Sequence, residues 1–173
     1  MAKNPAKSSP AEATGVQRVT ELMKRGRELV DDPNDHEWAN TLVPYLEVVS
    51  ADATLPHPRV VFRYTVQPSH CNRLGSLHGG CIATLFDYCT STAIALVSEP
   101  GHWHYLGVSR TLNVTYLRPA PSGATVLIEA EVVHAGKRLC SLRGAIRRAD
   151  DGALVATCEH GKFNTDPPVG SKI

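Results

Sequence analysis

A glycine-rich segment at residues 75–80, which contains His78, Gly79 and Gly80, leads into the most apolar part of the sequence. If a helix begins there, its first backbone N–H groups have no partner within the helix and lie at the positive end of its dipole. These N–H groups could polarise a bound carbonyl and stabilise an oxyanion, and glycine would let the ligand approach the backbone closely. The alternative is that the glycines only permit a tight loop.

Asp87 places a carboxylate within the apolar segment 79–98. Burying a carboxylate costs free energy unless it is paired or hydrogen-bonded, and the flanking Leu85 and Phe86 offer no cation. One interpretation is that Asp87 faces solvent or bonds a nearby serine or threonine. The other is that Asp87 is a general base or a nucleophile whose pKa is set by a dry site.

The spacing of Gly79 and Asp87 limits how they could act together. Eight residues separate them, which is about 12 Å along a helix. One carbonyl group cannot reach both within hydrogen-bond distance, so a common reaction needs Gly79 from one copy of the helix and Asp87 from another. A two-fold dimer supplies both. The catalytic interpretation therefore predicts a dimer with shared active sites.

A third candidate is Ser109, in a segment where Ser109, Thr111, Asn113 and Thr115 alternate with apolar residues. This alternation places the four polar side chains on one face of a strand. The Ser109 hydroxyl could orient a water molecule or a carboxylate. The alternative is an ordinary serine on a strand surface.

Other motifs are weaker or absent. His102 and His104 could form a metal pair, but no third ligand with zinc-like spacing follows them. The sequence has no GxSxG, Walker A or GxGxxG motif. We therefore expect no metal site.

Hydrophobic periodicity predicts one α+β domain around these residues. Helices are expected at residues 16–30, which are amphipathic, and 79–98, which are apolar on nearly every face. Strands are expected at residues 45–51, 59–66, 105–117, 125–134, 138–148 and 154–163. Short turns between long strands favour antiparallel pairing. The predicted fold is an antiparallel sheet wrapped around one long central helix, with an extra N-terminal helix.

Composition narrows the class of protein. The 173 residues carry 18 Lys and Arg against 17 Asp and Glu, so no basic excess exists to bind nucleic acid. Five cysteines, an odd number without CxxC spacing, are typical of reduced thiols in an intracellular protein. No run reaches the roughly 20 apolar residues of a membrane span. We expect a cytoplasmic protein, with a mitochondrial location as the alternative.

Two motifs together indicate a family. The pattern N-x-L-G-x-L-H-G-G-x-x-x-x-L-x-D at 72–87 and the pattern G-V-S-x-x-L-N-V-T-Y-L-x-P-A at 107–120 closely resemble the hot-dog-fold acyl-CoA thioesterases. The resemblance is strongest to the PaaI-like branch and the thioesterase superfamily member 2 type. The resemblance covers residues 45–165, which we expect to form a hot-dog thioesterase domain followed by a C-terminal tail at 166–173. Before this domain, the small, polar composition of residues 1–15 predicts a disordered tail, and the helical periodicity that follows predicts a helical extension at 16–44.

The resemblance implies a role for each candidate catalytic residue. Asp87 would be the general base or nucleophile toward the thioester carbon, and the Gly79 N–H would be the oxyanion donor. Asn72 and His78 would help to place the carbonyl or the water, and Ser109 would orient the water. In this branch opposite subunits supply the two sets, and the enzymes assemble as dimers of dimers, so we expect a homotetramer.

Two further stretches are implied to contact coenzyme A. They comprise Tyr116, Leu117, Arg118, Pro119 and Ala120, then His134, Ala135, Gly136, Lys137 and Arg138, with Lys162 and Phe163 closing the rim. The cations would bind the phosphates of coenzyme A. No cofactor is expected, because the coenzyme A thioester is the substrate.

Two alternatives to hydrolysis stay open. One is a hot-dog hydratase or dehydratase acting on enoyl or hydroxyacyl thioesters, although the motif at 72–87 argues against it. The other is a non-catalytic acyl-CoA-binding hot-dog protein. The loop at 99–106 and the N-terminal 40 residues depart from the family pattern, and either could line the acyl pocket.

Overall fold

The computed structural model describes residues 10–167 of the chain. Residues 1–9 and 168–173, which make up most of the two expected tails, lie outside the described residues.

Residues 10–167 form two α-helices and several short 3-10 turns. Helix α1 spans Pro10–Leu29 and begins before the expected residue 16. Helix α2 spans Gly79–Ala93 and continues as a 3-10 turn at Ile94–Leu96, so it ends earlier than the apolar composition predicts.

All six expected strands are present, with ends that differ from the prediction by at most three residues. They are β1 Leu46–Asp52, β2 Arg59–Thr65, β3 Val108–Tyr116, β4 Thr125–Ala135, β5 Leu139–Arg148 and β6 Leu154–Phe163.

The strands form one antiparallel sheet in the order β1-β2-β4-β5-β6-β3. The turns β4–β5 and β5–β6 join neighbours, whereas β3 pairs with β6 at the far edge. Helix α2 therefore leaves β2 near one edge and returns to β3 at the other, packing on β2 through β6. The expected sheet wrapped around one central helix, the hot-dog arrangement, is confirmed.

The core lies between α2 and the sheet. Leu85, Phe86 and Cys89 of α2 are fully buried against strand residues such as Phe62 and Ile128. Gly144 in β5 permits this close packing, because a Cβ there would lie 2.7 Å from the Phe86 ring.

Helix α1 covers the end of α2 with its apolar face. Val19 and Met23 are buried, and a Cβ on Gly15 would lie 2.4 Å from the Leu96 carbonyl oxygen. The chain then forms 3-10 turns at Trp38–Thr41 and Val43–Tyr45 before β1. Within residues 10–167, no helix is both long and apolar enough to cross a membrane.

Strand β3 lies at an edge of the sheet and pairs with β6 alone. Both of its terminal apolar side chains, Val108 and Tyr116, are about half exposed. An edge strand with exposed apolar side chains is a template for pairing with a second strand.

Candidate active site

Asp87 lies at the centre of a small polar cluster. Its Oδ1 accepts a hydrogen bond from the Ser109 hydroxyl at 2.6 Å and lies 3.3 Å from Nε2 of His160. The same His160 nitrogen is 3.0 Å from the Ser109 oxygen. Because α2, β3 and β6 each contribute one residue, the sheet topology brings together side chains that are distant in sequence. The Asp87 side chain remains 47% exposed, so its second oxygen can meet a ligand.

His160 forms the buried floor of this cluster. Only 1% of the residue is exposed, and its Nδ1 lies 2.7 Å from the Thr90 hydroxyl. Burial lowers the pKa of His160 to about 4, and the nearby positive charge of Lys162 adds to this effect while Asp87 opposes it. The imidazole is therefore neutral near pH 7, and it orients Ser109 and Asp87 without adding a positive charge.

Lys162 is buried in the structure and does not lie at the rim of the coenzyme A site, where it was expected. Its side chain is buried, and Nζ donates a 2.5 Å hydrogen bond to the Ser91 hydroxyl, one helical turn beyond Asp87. Lys162 and His160 lie two residues apart in β6 and therefore share its inner face. The Lys162 side chain points toward α2 and away from solvent. Burial lowers the pKa of Lys162, and the Asp87 charge partly offsets this shift.

The start of α2 has the geometry of a carbonyl-binding site. His78 is the N-cap, and its Nδ1 accepts a 2.9 Å hydrogen bond from the Gly80 N–H. This leaves the Gly79 N–H at the first helical position, and no hydrogen bond from it is present within residues 10–167. The Tyr116 hydroxyl donates to the Gly79 carbonyl at 3.0 Å, which brings one expected substrate-binding residue to the helix start.

Asn72 stabilises the loop that leads to α2. Its Oδ1 accepts hydrogen bonds from the backbone N–H groups of Leu74 and Ser76 at 2.9 and 3.2 Å. With the carbonyl oxygen engaged, only the side-chain amide N–H groups of Asn72 remain to meet a substrate.

The stretch 116–120 is fastened to this loop and to β6. The Ala120 carbonyl accepts from the Leu77 N–H, and the Leu117 N–H donates to Val155. The Arg118 guanidinium donates to the Leu154 carbonyl at 3.2 Å, and Pro119 accepts from Arg148 at 3.3 Å.

The expected residues around the β4–β5 turn lie beside a separate groove of about 630 Å³. Lys137, Arg138 and Phe163 line it together, and both cations are exposed. His134 is exposed and Ala135 half-buried at the end of β4, and a Cβ on Gly136 would lie 3.1 Å from the His134 ring.

The loop 99–106 packs against the β4–β5 turn and is hydrogen-bonded to it. Trp103 is fully buried, and its Nε1 donates to the Gly136 carbonyl at 2.7 Å. Asp166 accepts hydrogen bonds from the backbone N–H groups of His104 and Tyr105. Within residues 10–167, no group of three or more His, Cys, Asp or Glu residues is placed to hold a metal.

His160 is not among the site residues that the sequence predicts, and Lys162 is buried instead of lying at the predicted rim. The signal in the sequence is the two-residue spacing of Cys158, His160 and Lys162 in β6, which places all three side chains on the buried face of the strand. Two ionisable residues on the buried face of a strand indicate a polar cluster beneath the sheet.

Comparison with known proteins identifies the family. The family model of the Thioesterase superfamily matches residues 74–155. Acyl-coenzyme A thioesterase 13 of Mus musculus is 33% identical over 117 residues, which cover 68% of this chain and 80% of the mouse protein. The human protein of the same name is 36% identical over 104 residues, covering 60% of this chain and 71% of its own length.

Solved structures agree with this result. The crystal structure of zebra fish thioesterase superfamily member 2 has a TM-score of 0.69 and 32% identity, covering 84% of this chain and 96% of that chain. The PaaI protein of E. coli has a TM-score of 0.65 at 21% identity, covering 89% and 95%, and shows likeness of fold alone. The chain belongs to the thioesterase superfamily.

Proposed function

We propose that this protein is an acyl-CoA thioesterase, which hydrolyses an acyl-CoA to free coenzyme A and a carboxylic acid. The observation that carries the proposal is the half-exposed Asp87 carboxylate, anchored by Ser109 and by buried His160, in a thioesterase-superfamily fold. The names of its mouse and human relatives support acyl-CoA as the substrate class.

In the proposed reaction, the Gly79 N–H polarises the thioester carbonyl at the helix start. Asp87 then acts in one of two ways. As a general base it takes a proton from water while the water oxygen bonds to the carbonyl carbon. As a nucleophile it bonds to that carbon first, and water hydrolyses the resulting anhydride. In both cases the carbon–sulfur bond breaks, the thiolate of coenzyme A leaves, and the acid is released.

The two groups must come from different subunits in this proposal. Within one helix, Gly79 and Asp87 are about 12 Å apart, which exceeds the size of a thioester group. The edge position of β3 supports a two-fold dimer in which two β3 strands pair, because Ser109 lies in this exposed strand next to the Asp87 site. A dimer of two such dimers is the proposed assembly.

The groove beside the β4–β5 turn is the proposed place for the phosphates of coenzyme A. Lys137 and Arg138 are exposed cations there, and Phe163, the last residue of β6, lines the same groove. Arg118 is committed to the Leu154 carbonyl and is a weaker candidate.

A panel of acyl-CoA thioesters tests the activity directly. Loss of thioester absorbance should accompany release of coenzyme A for at least one member, and following absorbance avoids the five cysteines, which would react with thiol reagents. An enoyl-CoA that loses its enoyl absorbance without releasing coenzyme A would indicate a hydratase instead. Tight coenzyme A binding without turnover of any thioester would indicate a non-catalytic binding protein.

Mixed oligomers test the sharing of sites. Asp87→Asn and Gly79→Val subunits are each expected to be inactive alone, since one lacks the carboxylate and the other fills the space beside Tyr116. After verified subunit exchange, the mixture should regain a fraction of wild-type activity. A mixture no more active than its parents would contradict shared sites.

A further inference from the structure

A groove of about 380 Å³ opens beside the first turns of α2, and the mechanism above assigns it no role. One wall comes from α2, through Gly80, Cys81 and Thr84. The opposite wall comes from the N-terminal extension, through Trp38 and Leu42. These last two residues precede the segment 74–155 that matches the family model, so this wall is a feature that the family match does not cover.

Trp38 is an exposed aromatic side chain held in a fixed place. The residue is 80% exposed, yet its Nε1 donates a 3.2 Å hydrogen bond to the Thr84 hydroxyl. The adjoining Ala39 and Leu42 are buried and anchor the 3-10 turn that carries it. Tryptophan is enriched at binding interfaces, where its ring packs on apolar groups while its N–H keeps a hydrogen bond.

The groove is lined mainly by side chains of uncharged types. It contains no Asp, Glu, Lys or Arg. Burial lowers the pKa of His70, whose Nδ1 is bonded to the Tyr64 hydroxyl, and burial raises the pKa of Cys81 to about 11. Both groups are therefore neutral near pH 7, so the groove favours an apolar ligand over an ionic one.

The position of the groove links it to the thioester. Two of its lining residues, His78 and Gly80, flank Gly79 on either side. A ligand whose carbonyl lies at the Gly79 N–H can therefore extend directly between Trp38 and α2. The Lys137–Arg138 groove, by contrast, carries the charges suited to the opposite, phosphate-bearing end of the same molecule.

We propose that the groove between Trp38 and α2 binds the apolar acyl group of the thioester, an alkyl chain or an aryl-acyl group, and that Trp38 makes the protein select thioesters with acyl groups larger than acetyl. This inference rests on the proposed function for its substrate. Each methylene that leaves water in the groove can raise kcat/KM by about three- to fourfold. A groove of this volume is within the range that small-molecule sites occupy.

The test compares acetyl-, hexanoyl-, decanoyl- and phenylacetyl-CoA with the full chain and three variants. Trp38→Ala should lower kcat/KM for the larger thioesters by about tenfold or more, while the value for acetyl-CoA changes by less than about twofold. Trp38→Phe keeps an apolar ring and should retain most of the preference. Leu22→Ala removes an exposed apolar side chain of α1 outside the groove and should match wild type.

A binding measurement separates failure of this inference from failure of the proposed function. Decyl-CoA, a thioether that cannot be hydrolysed, should bind wild type more tightly than coenzyme A does, and Trp38→Ala should remove most of that difference. If wild type hydrolyses no thioester but this pattern holds, the groove assignment stands and the proposed activity fails. If Trp38→Ala keeps the full advantage of the decyl chain, or loses activity equally on acetyl-CoA and decanoyl-CoA, the groove assignment is wrong.

Discussion

Nε2 of His160 lies 3.3 Å from Oδ1 of Asp87, so a buried imidazole contacts the half-exposed carboxylate at the centre of the candidate site. The Ser109 hydroxyl donates its hydrogen bond to Asp87, so His160 can hold the Ser109 oxygen only by donating an N–H from Nε2. One buried ring thereby supports two groups that face the solvent. In the proposed reaction His160 is a positioning residue, because it reaches the substrate only through Ser109 and Asp87.

Replacing His160 should therefore slow the reaction more than it weakens substrate binding. In His160→Phe the ring keeps its apolar contacts but cannot hold Ser109, and we expect kcat to fall by about 10- to 100-fold with little change in KM. His160→Gln offers a donor again and should recover part of the loss. Steady-state kinetics of both variants measures this, and a His160→Phe enzyme with near-normal kcat would rule out the positioning role.

Burial of His160 also predicts how stability depends on pH. The unfolded chain takes up a proton near the ordinary pKa of 6.5, whereas folded His160 has a pKa of about 4. Between these values the unfolded state binds more protons, so the free energy of unfolding should fall as the pH is lowered from about 6.5 to about 4. Denaturant titrations should show a shallower fall for His160→Phe. An unchanged slope in that variant would mean that other groups cause the acid sensitivity.

Lys162 is expected to affect the same titration. Its buried positive charge lowers the pKa of His160, so Lys162→Met should raise that pKa toward its ordinary value. An NMR titration of the His160 ring protons measures the shift directly. Lys137→Met removes an exposed cation from the β4–β5 turn and serves as the control. Equal His160 pKa values in the two variants would contradict an electrostatic link between Lys162 and this site.

The loop 99–106 should contribute to stability through Trp103. Trp103→Ala removes a fully buried indole, which should cost about 3–5 kcal/mol of unfolding free energy. Trp103→Phe mainly leaves the Gly136 carbonyl without its N–H donor and should cost about 1–3 kcal/mol. The neighbouring Tyr105→Ala, at an exposed position, should change stability by less than about 0.5 kcal/mol. Urea unfolding compares the three, and similar values for Trp103→Ala and Tyr105→Ala would refute the anchoring role.

Local patterns in the sequence were sufficient to predict the elements but not the buried polar cluster. Alternation and turn residues locate all six strands, and the apolar run from Gly79 locates α2 because burial on nearly every face requires apolar residues there. The end of α2 was predicted too late, since residues 94–97 remain apolar after the α-helical hydrogen bonds stop. His160 was missed because its contact with Asp87 depends on the position of β6 between β5 and β3. That position is set by the sheet topology, which local sequence patterns do not reveal. The sequence offers the N-terminal 40 residues as a lining of the acyl pocket, but it does not single out Trp38, because the partner of Trp38, Thr84, is distant in sequence.

The most direct test of the central claim is the turnover of Asp87→Asn beside wild type on the best acyl-CoA of the panel. Asparagine keeps the size of the side chain and an oxygen for the Ser109 hydrogen bond, so the substitution removes the charged carboxylate and little else. We expect the fold, the oligomer and coenzyme A affinity to persist while kcat falls by about 100-fold or more. An Asp87→Asn enzyme with turnover close to wild type would contradict the assignment of Asp87 as the reacting group.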